Sequence, residues 1–186
     1  MPLTKWKTIR RESEIKNPWW EYRKDIVLLP SGKEGEYHYV HVAGSAMIIP
    51  IMPDGRIILV NQYRYLLDRE SLEFPCGSIN EGSSYDETAL HELAEETGYS
   101  SAKMTYIGEH NPYNGVTDEI SKIYVAEKPS PVHANPDETE EFEYVYVTVD
   151  ELETKIDKGI IWDGMTLAAW SLARLKVRER LKGYAR

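Results

Sequence analysis

Short apolar-rich runs, separated by turn residues, fill the first third of the chain and predict β-strands. Four such runs occur as two pairs, each pair joined by a segment rich in Gly, Pro or Asp: EYRKDIVLL with GEYHYVHV, and GSAMIIPIM with RIILVNQYRYL. Each pair is therefore predicted to form a β-hairpin. The segment that follows, ESLEFPCGSINEG, contains a proline and two glycines and is predicted to be a loop.

One helix is predicted near the middle of the chain. Ser84 and Glu87 have the spacing of a capping box, which begins helices, and Gly98 can end the helix. Two strands, one polar loop, a further strand and two helices are predicted after it: SAKMTYIGEH, ISKIYVAE, SPVHANPDETEE, FEYVYVTV, VDELETKIDKG and MTLAAWSLARLKVRERL. Strands interleaved with helices predict an α/β sandwich with a mixed sheet.

The composition is that of a globular protein. The chain has 186 residues, 41% of them hydrophobic and 28% charged, which fits one domain with at most a small appended subdomain. The single cysteine excludes a disulfide framework. Because no run is apolar enough for a signal peptide or a membrane span, we expect a cytoplasmic protein.

The net charge of -9 argues against broad binding to nucleic acid, which requires a basic surface. An acidic protein can still bind a phosphorylated small molecule when a divalent cation lies between the two sets of negative charges. The acidic residues are therefore candidate ligands for a divalent cation.

The predicted central helix carries three glutamates on one face. With about 100° per residue, Glu92, Glu95 and Glu96 fall on the same side of the helix. Leu90, Leu93, Ala94 and Thr97 fall on the other side and can pack on a sheet. Two interpretations remain open at this point, a solvated acidic face and a metal site. An oxygen-rich metal site would suit Mg²⁺ or Mn²⁺ rather than zinc.

The segment from Gly77 to Tyr99 resembles the Nudix box, whose pattern is G-x5-E-x7-R-E-U-x-E-E-x-G-U with U a bulky apolar residue. The positions that match are Gly77, Glu92, Leu93, Glu95, Glu96, Gly98 and Tyr99. Two positions depart from the pattern, since Ser83 stands in place of Glu and His91 in place of Arg. The flanking segments LVNQYRY and LEFPCGSINEG resemble the ADP-ribose and nucleoside-diphosphate-sugar pyrophosphatase branch.

This resemblance implies a fold, an assembly and a reaction. The fold is a Nudix-type α/β/α sandwich with a mixed sheet and an N-terminal β-hairpin extension. Residues 1–42 would form a hairpin and dimerisation subdomain, and residues 43–186 the Nudix domain. The protein would be a homodimer that hydrolyses the diphosphate of ADP-ribose or a related nucleoside diphosphate sugar with Mg²⁺, or alternatively Mn²⁺.

The resemblance also assigns the site. Glu92, Glu95 and Glu96 would be catalytic metal ligands together with a loop glutamate, and Cys76 would add its main-chain carbonyl. Among the candidates for the loop glutamate, Glu138, Glu140 and Glu141, the spacing typical of the family favours Glu140.

Further residues are expected at the substrate. Arg64 would contact the diphosphate; the alternative is a salt bridge to Asp68 or Glu70. Glu73 would lie near the phosphates and metals, or else be a surface residue at a strand end. Trp19 and Trp20, together with Tyr37, would stack on the nucleobase across a dimer, or else pack in the core or in an interface.

Two rival functions stay open. One is hydrolysis of another sugar nucleotide, such as GDP-mannose. The other is a Nudix-derived sensor that binds its ligand without cleaving it, which the changes at Ser83 and His91 would favour. His91 lies four residues before Glu95, so the two side chains can meet on one helix face and His91 can take the place of the family's arginine.

Overall fold

A computed structural model describes residues 3–133 and 142–184. The chain divides into two compact units: unit 1 comprises Met1–Ala43 and Asn111–Ile120, and unit 2 comprises Gly44–His110 and Ser121–Arg186. The proposed functional division into residues 1–42 and 43–186 stays a prediction. No helix within the described ranges is long and apolar enough to cross a bilayer.

Unit 1 contains an antiparallel sheet of three strands in the order β1 (Lys7–Lys16), β2 (Glu21–Leu28) and β3 (Glu34–His41). The predicted hairpin corresponds to β2 and β3. Strand β1 lies outside the predicted strands, because its sequence KTIRRESEIK is dominated by charged and polar side chains. The extension therefore has three strands rather than the two of a hairpin.

The second segment of unit 1 is tied to the end of β3. The Val40 N–H donates to the Val116 carbonyl over 2.8 Å. His41 Nδ1 lies 2.8 Å from Asp118 Oδ2. These contacts fasten residues 111–120 to the three-stranded sheet, although 69 positions separate Asn111 from Val42 in the sequence.

Unit 2 is built on a mixed sheet of seven strands. The seven strands are β4 (Ser45–Ile51), β5 (Ile57–Arg64), β6 (Arg69–Glu73), β7 (Cys76–Ser78), β9 (Met104–His110), β10 (Ser121–Glu127) and β12 (Glu143–Val147). The main path of the sheet runs β12-β5-β4-β10-β9, with β6 paired to β5 and β7 paired to β4. Strands β4 and β10 are parallel, and the other pairs are antiparallel. A 3₁₀ turn, Tyr65–Leu67, follows β5, and the short strands β8 (Tyr99–Ser100) and β11 (Ser130–Pro131) pair with each other.

Helices cover both faces of this sheet: α1 (Tyr85–Thr97), α2 (Val149–Asp157) and α3 (Gly164–Leu181). Alternate residues of β4 point to opposite sides, as in any strand. Met47, Ile49 and Ile51 belong to the core cluster that contains residues of α2 and α3, whereas Ala46 and Ile48 cluster with Ala89 and Leu93 of α1. The predicted α/β/α sandwich with a mixed sheet is confirmed.

Local chemistry explains where α1 begins and ends. The Glu87 N–H donates to Ser84 Oγ over 3.2 Å, and the Ser84 N–H donates to Glu87 Oε2 over 2.8 Å. Gly98 closes the helix with φ at 69°, a left-handed conformation that glycine adopts without strain. Both predicted ends of the helix are confirmed.

One prediction about the segment before α1 is wrong. Residues 70–82 are not a loop throughout, because β6 ends at Glu73 and β7 begins at Cys76. Leu72 and Phe74 are buried in the core, so the apolar residues of this segment pack as strand residues despite Pro75. The proline lies between the two strands, where it interrupts neither ladder.

Candidate active site

Strand β7 and helix α1 converge at Gly77. A Cβ atom built on Gly77 would overlap the carboxylate of Glu92. Any side chain at this position would displace the Glu92 carboxylate, because that carboxylate lies directly on the β7 backbone. This contact brings the first acid of the helix face against the strand that carries Cys76.

Glu96 makes the second contact between α1 and β7. The Cys76 N–H donates to Glu96 Oε2 over 3.1 Å, and Glu96 is only 4% exposed. A hydrogen bond from a backbone N–H stabilises a buried carboxylate. The Cys76 side chain packs against the larger core cluster, whereas its backbone N–H contacts Glu96.

Glu95 lies on the outer part of the same face, where His91 Nδ1 is 2.9 Å from Glu95 Oε2. One ligand atom from each of His91, Glu92 and Glu95 can be chosen so that all three lie within 4.8 Å of one another. The predicted meeting of His91 with Glu95 is confirmed.

The three glutamates on this face of the helix differ in how deeply they are buried. Glu96 is buried against Cys76, while Glu92 and Glu95 are half-buried, and all three lie on one helix face. Carboxylate oxygens with a nearby main-chain carbonyl are ligands that Mg²⁺ and Mn²⁺ accept. The side chains present fit a divalent cation, although their role as ligands stays a prediction. Glu138, Glu140 and Glu141 lie outside the described residues.

Arg64 and Glu73 form a bidentate ion pair. Arg64 Nε donates to Glu73 Oε1 over 2.8 Å, and Nη2 donates to Oε2. The Glu73 side chain is 4% exposed and that of Arg64 is 46% exposed. The hydrogen bonds to Glu73 are the main cause that raises the pKa of Arg64.

The alternative partners considered for Arg64 have other contacts. Asp68 Oδ1 accepts a hydrogen bond from the Tyr63 hydroxyl over 2.8 Å, and Glu70 Oε2 accepts one from Asn61 Nδ2 over 3.0 Å. The pairing of Arg64 with Glu73 was missed, because it depends on β6 being a strand beside β5. Predicting that strand would have been the signal needed to find the pair.

Helix α3 supports the turn between β6 and β7. The Phe74 N–H donates to the fully buried Thr166 Oγ1 over 3.2 Å, and the Thr166 N–H donates to Asp163 Oδ2 over 2.7 Å. On the other side, the Ile48 N–H of β4 donates to the Pro75 carbonyl over 2.9 Å. Thr166 was not predicted as a site-supporting residue, and nothing in its local sequence marks it as one.

In unit 1, Tyr37 lies on the wall of a concavity of about 400 Å³ together with Arg11, Tyr39 and Asn111. Arg11 Nε donates over 3.1 Å to the buried carboxylate of Asp25. The rings of Tyr37 and Tyr39 are 6.4 Å apart at their centroids. The concavity thus combines aromatic faces with amide, guanidinium and carboxylate groups, the last from Asp25 and Asp118.

The two tryptophans expected at the base lie in the turn between β1 and β2. Trp19 is 76% exposed and Trp20 is 41% exposed. Both backbone N–H groups donate to Asn17 Oδ1 over 2.9 Å, which shapes the turn. Within unit 1 the structure therefore brings Tyr37, but not Trp19, onto the wall of the concavity.

Comparisons with known proteins identify the following similarities. The family model described as the NUDIX domain matches residues 41–167. An ADP-ribose pyrophosphatase of Bacillus subtilis is 31% identical over 178 residues, 95% of each chain. A methanol dehydrogenase activator of Bacillus methanolicus is 33% identical over 178 residues, again 95% of each chain. The crystal structure of an ADP compounds hydrolase has a TM-score of 0.81 at 23% identity and covers 98% of this chain and 97% of its own.

Proposed function

Since the chain belongs to the NUDIX domain family, a family of hydrolases, we propose that it hydrolyses the diphosphate of ADP-ribose or a related nucleoside diphosphate sugar with the help of Mg²⁺. Water adds a hydroxyl group to one phosphorus, the bridging P–O bond breaks, and the departing phosphate takes the proton. The products are a nucleoside monophosphate and a sugar phosphate. One observation carries the proposal: two glutamates of α1 lie directly on β7. The Glu92 carboxylate lies against the Gly77 backbone, and Glu96 accepts a hydrogen bond from the Cys76 N–H.

The proposed ligands of Mg²⁺, or alternatively of Mn²⁺, are Glu92, Glu95, Glu96, Glu140 and the Cys76 carbonyl. A bound divalent cation would neutralise phosphate charge and polarise the scissile phosphate. The protein's own contribution is to position these oxygens before the cation binds. Strand β7 fixes Cys76 and Gly77, and α1 fixes its three glutamates. His91 holds Glu95 through the contact at 2.9 Å.

Two further groups are proposed to bind the substrate. Arg64 would donate N–H groups to the diphosphate, a role that suits the planar guanidinium. Tyr37 would stack on the nucleobase, an interaction worth about 1–3 kcal/mol per base. The aromatic wall that Tyr37 shares with Tyr39 supports this role. Trp19 is kept as a weaker candidate, because its ring is exposed.

The test is a panel of nucleoside diphosphate sugars, including ADP-ribose and GDP-mannose, incubated with Mg²⁺ and scored for released nucleoside monophosphate. We expect ADP-ribose to give the highest kcat/KM. A preference for GDP-mannose would keep the reaction and change the substrate. Release of no monophosphate from any member would contradict the proposed activity.

A second candidate is a regulator that senses such ligands, favoured by the 33% identity to a protein named methanol dehydrogenase activator. The two functions differ in their response to Glu96→Gln. If the protein regulates an alcohol dehydrogenase through the products of hydrolysis, the Glu96→Gln variant no longer changes the dehydrogenase activity. If it is a pure sensor that still binds its ligand, the variant changes that activity as the parent does. Addition of parent and variant to an alcohol dehydrogenase assay distinguishes the two.

We also propose that the protein is a homodimer, as expected from the pyrophosphatase branch, and that it works in the cytoplasm, where its single cysteine stays reduced. Light scattering of the purified protein tests the assembly. A fully active monomer would contradict the first of these proposals.

A further inference from the structure

The Arg64–Glu73 pair is not a simple cross-strand neighbour contact. In the register of β5 and β6, Glu73 lies opposite Val60, and Arg64 lies opposite Arg69. Because a strand advances about 3.3 Å per residue, the Arg64 side chain must extend back along the sheet to reach Glu73. The Arg64 side chain therefore runs parallel to the strands, from the end of β5 back toward Val60.

The backbone at Glu73 is held by its pairing with Val60 of β5 and by two hydrogen bonds just after it in the chain. The next residue, Phe74, donates its N–H to Thr166, and Cys76 donates its N–H to Glu96. A carboxylate this well buried is costly unless a cation pairs with it, and removal of the partner leaves an uncompensated charge. Glu73 thus presents a fixed anion to which the guanidinium aligns.

The aligned guanidinium keeps donors for another ligand. Guanidinium has five N–H groups, and the bidentate contact with Glu73 uses two of them. Glu73, which holds the guanidinium, lies three positions before Cys76, so Arg64 is held beside the segment that leads into β7. The Arg64 side chain is 46% exposed.

We propose that Glu73 is a positioning residue that acts on the substrate through Arg64: it orients the guanidinium so that the remaining N–H groups bind the diphosphate of a nucleoside diphosphate sugar. The inference rests on the proposed function. It differs from the expectation that Glu73 itself lies at the phosphates and metals. Both carboxylate oxygens of Glu73 are engaged by the guanidinium. A Glu73 carboxylate in direct contact with the substrate would repel the two negatively charged phosphates.

The experiment compares Arg64→Gln, Glu73→Gln and the double variant. Binding of ADP-ribose is measured by calorimetry in EDTA, and kcat, KM and the Mg²⁺ concentration for half-maximal rate are measured in parallel. Because hydrogen bonds to charged groups are worth about 1.5–3 kcal/mol, we expect each single change to weaken metal-free binding by about 10-fold or more. The double variant should be no weaker than Arg64→Gln, since the two residues act as a unit.

The Mg²⁺ dependence separates positioning from direct action at the metal. If Glu73 acts through Arg64, both single variants raise KM and leave the half-maximal Mg²⁺ concentration unchanged. Losses that multiply in the double variant would overturn the inference. So would a higher Mg²⁺ requirement in Glu73→Gln alone.

Arg69→Lys and Glu70→Gln are matched controls on the same strand, and both residues are exposed. They should bind ADP-ribose as the parent does. If Arg64→Gln or Glu73→Gln fails to fold, Arg64→Lys decides, because lysine keeps the charge beside Glu73 without the planar fork. An unchanged affinity in Arg64→Lys would overturn the inference.

The proposed function and the positioning role fail in different ways. If the parent releases no AMP from ADP-ribose with Mg²⁺, the proposed substrate is wrong. The pair is then tested with inorganic pyrophosphate as the probe in the same calorimetry. Matched losses in both single variants support the positioning role, and unchanged pyrophosphate binding in Glu73→Gln overturns it.

Discussion

The carboxylate of Glu92 occupies the space that any side chain at Gly77 would need. This relationship couples a backbone position on β7 to a side chain on α1. It gives a physical reason for glycine at the start of the motif, independent of any turn: the strand must let the helix acid lie on its main chain.

Gly77→Ala should therefore displace Glu92 and lower hydrolysis by about 10- to 100-fold, because an active-site group moved by about 1 Å loses productive geometry. Steady-state kinetics with ADP-ribose checks this prediction. Gly164→Ala is the control, since a Cβ at Gly164 meets open space at the start of α3. Equal loss in both variants would show that the Gly77 contact is not responsible.

Glu96→Gln should remove most hydrolysis, by about 100-fold or more, because a proposed ligand loses its charge. The fold should persist, since the amide oxygen of glutamine can still accept the Cys76 N–H. Kinetics at saturating Mg²⁺ and thermal unfolding are the measurements. Glu81→Gln, at an exposed position, is the control. Near-normal turnover in Glu96→Gln would eliminate Glu96 as a principal ligand.

His91→Ala should lower activity by a smaller factor than Glu96→Gln, because only the partner of Glu95 is lost. Exposed ion pairs are worth about 0.2–1 kcal/mol, and the His91 side chain is 67% exposed. His91→Arg places a permanently charged guanidinium beside Glu95 and should match or exceed the parent. Comparison of kcat/KM for the three proteins tests this, and identical values would leave His91 as an ordinary surface residue.

The Ser84 capping box predicts a pH-dependent stability. The N–H and hydroxyl of Ser84 donate to Glu87 and lower the pKa of that carboxyl below 4.5. A pKa depressed by folding adds stability above the unfolded value, and that stability disappears as the pH falls through the folded value. The parent should therefore have a higher thermal unfolding midpoint than Glu87→Gln at pH 7, and this difference in midpoint should become smaller at about pH 3.

Ser84→Ala complements that test, because it should destabilise the protein by about 0.5–2 kcal/mol at neutral pH through loss of the N-cap. Glu81→Gln serves as the acid control with no capping role. A gap between the parent and Glu87→Gln that stays constant from pH 7 to pH 3 would contradict the assigned cause of the pKa shift.

Tyr37→Ala should raise KM for ADP-ribose by about 5- to 100-fold with a smaller effect on kcat, because stacking on a base is worth about 1–3 kcal/mol. Tyr37→Phe keeps the ring and should stay near the parent. Trp19→Ala, in the exposed turn, gives a comparison within unit 1. A larger effect of Trp19→Ala would move the base site to that turn.

Local chemistry determined which features could be predicted from the sequence. The bounds of α1 follow from Ser84, Glu87 and Gly98, all within one helical segment, and the shared face of the glutamates follows from helical periodicity alone. The α/β/α layering follows from the alternation of apolar strands with helices. These features need no knowledge of distant contacts.

The features that escaped prediction depend on tertiary partners. β1 is held by pairing with β2 rather than by apolar residues, and β6 and β7 are stabilised by β5 and β4. The burial of Glu96 requires the N–H of Cys76, twenty positions away in the chain. Likewise, the pairing of Arg64 with Glu73 depends on strand register, which the sequence pattern did not reveal.

The bond from the Cys76 N–H to Glu96 has a further consequence for how the protein loses activity. Strand β7 pairs with the wholly buried β4, and the Cys76 N–H donates to the buried Glu96 of α1, so we expect this amide to exchange with solvent deuterium about as slowly as the sheet of unit 2. The contact between Cys76 and Glu96 should then be lost together with the fold of the domain, not ahead of it. On heating, inactivation should therefore coincide with global unfolding, and destabilising changes far from the site should reduce the number of active molecules while leaving the turnover of each folded molecule unaltered.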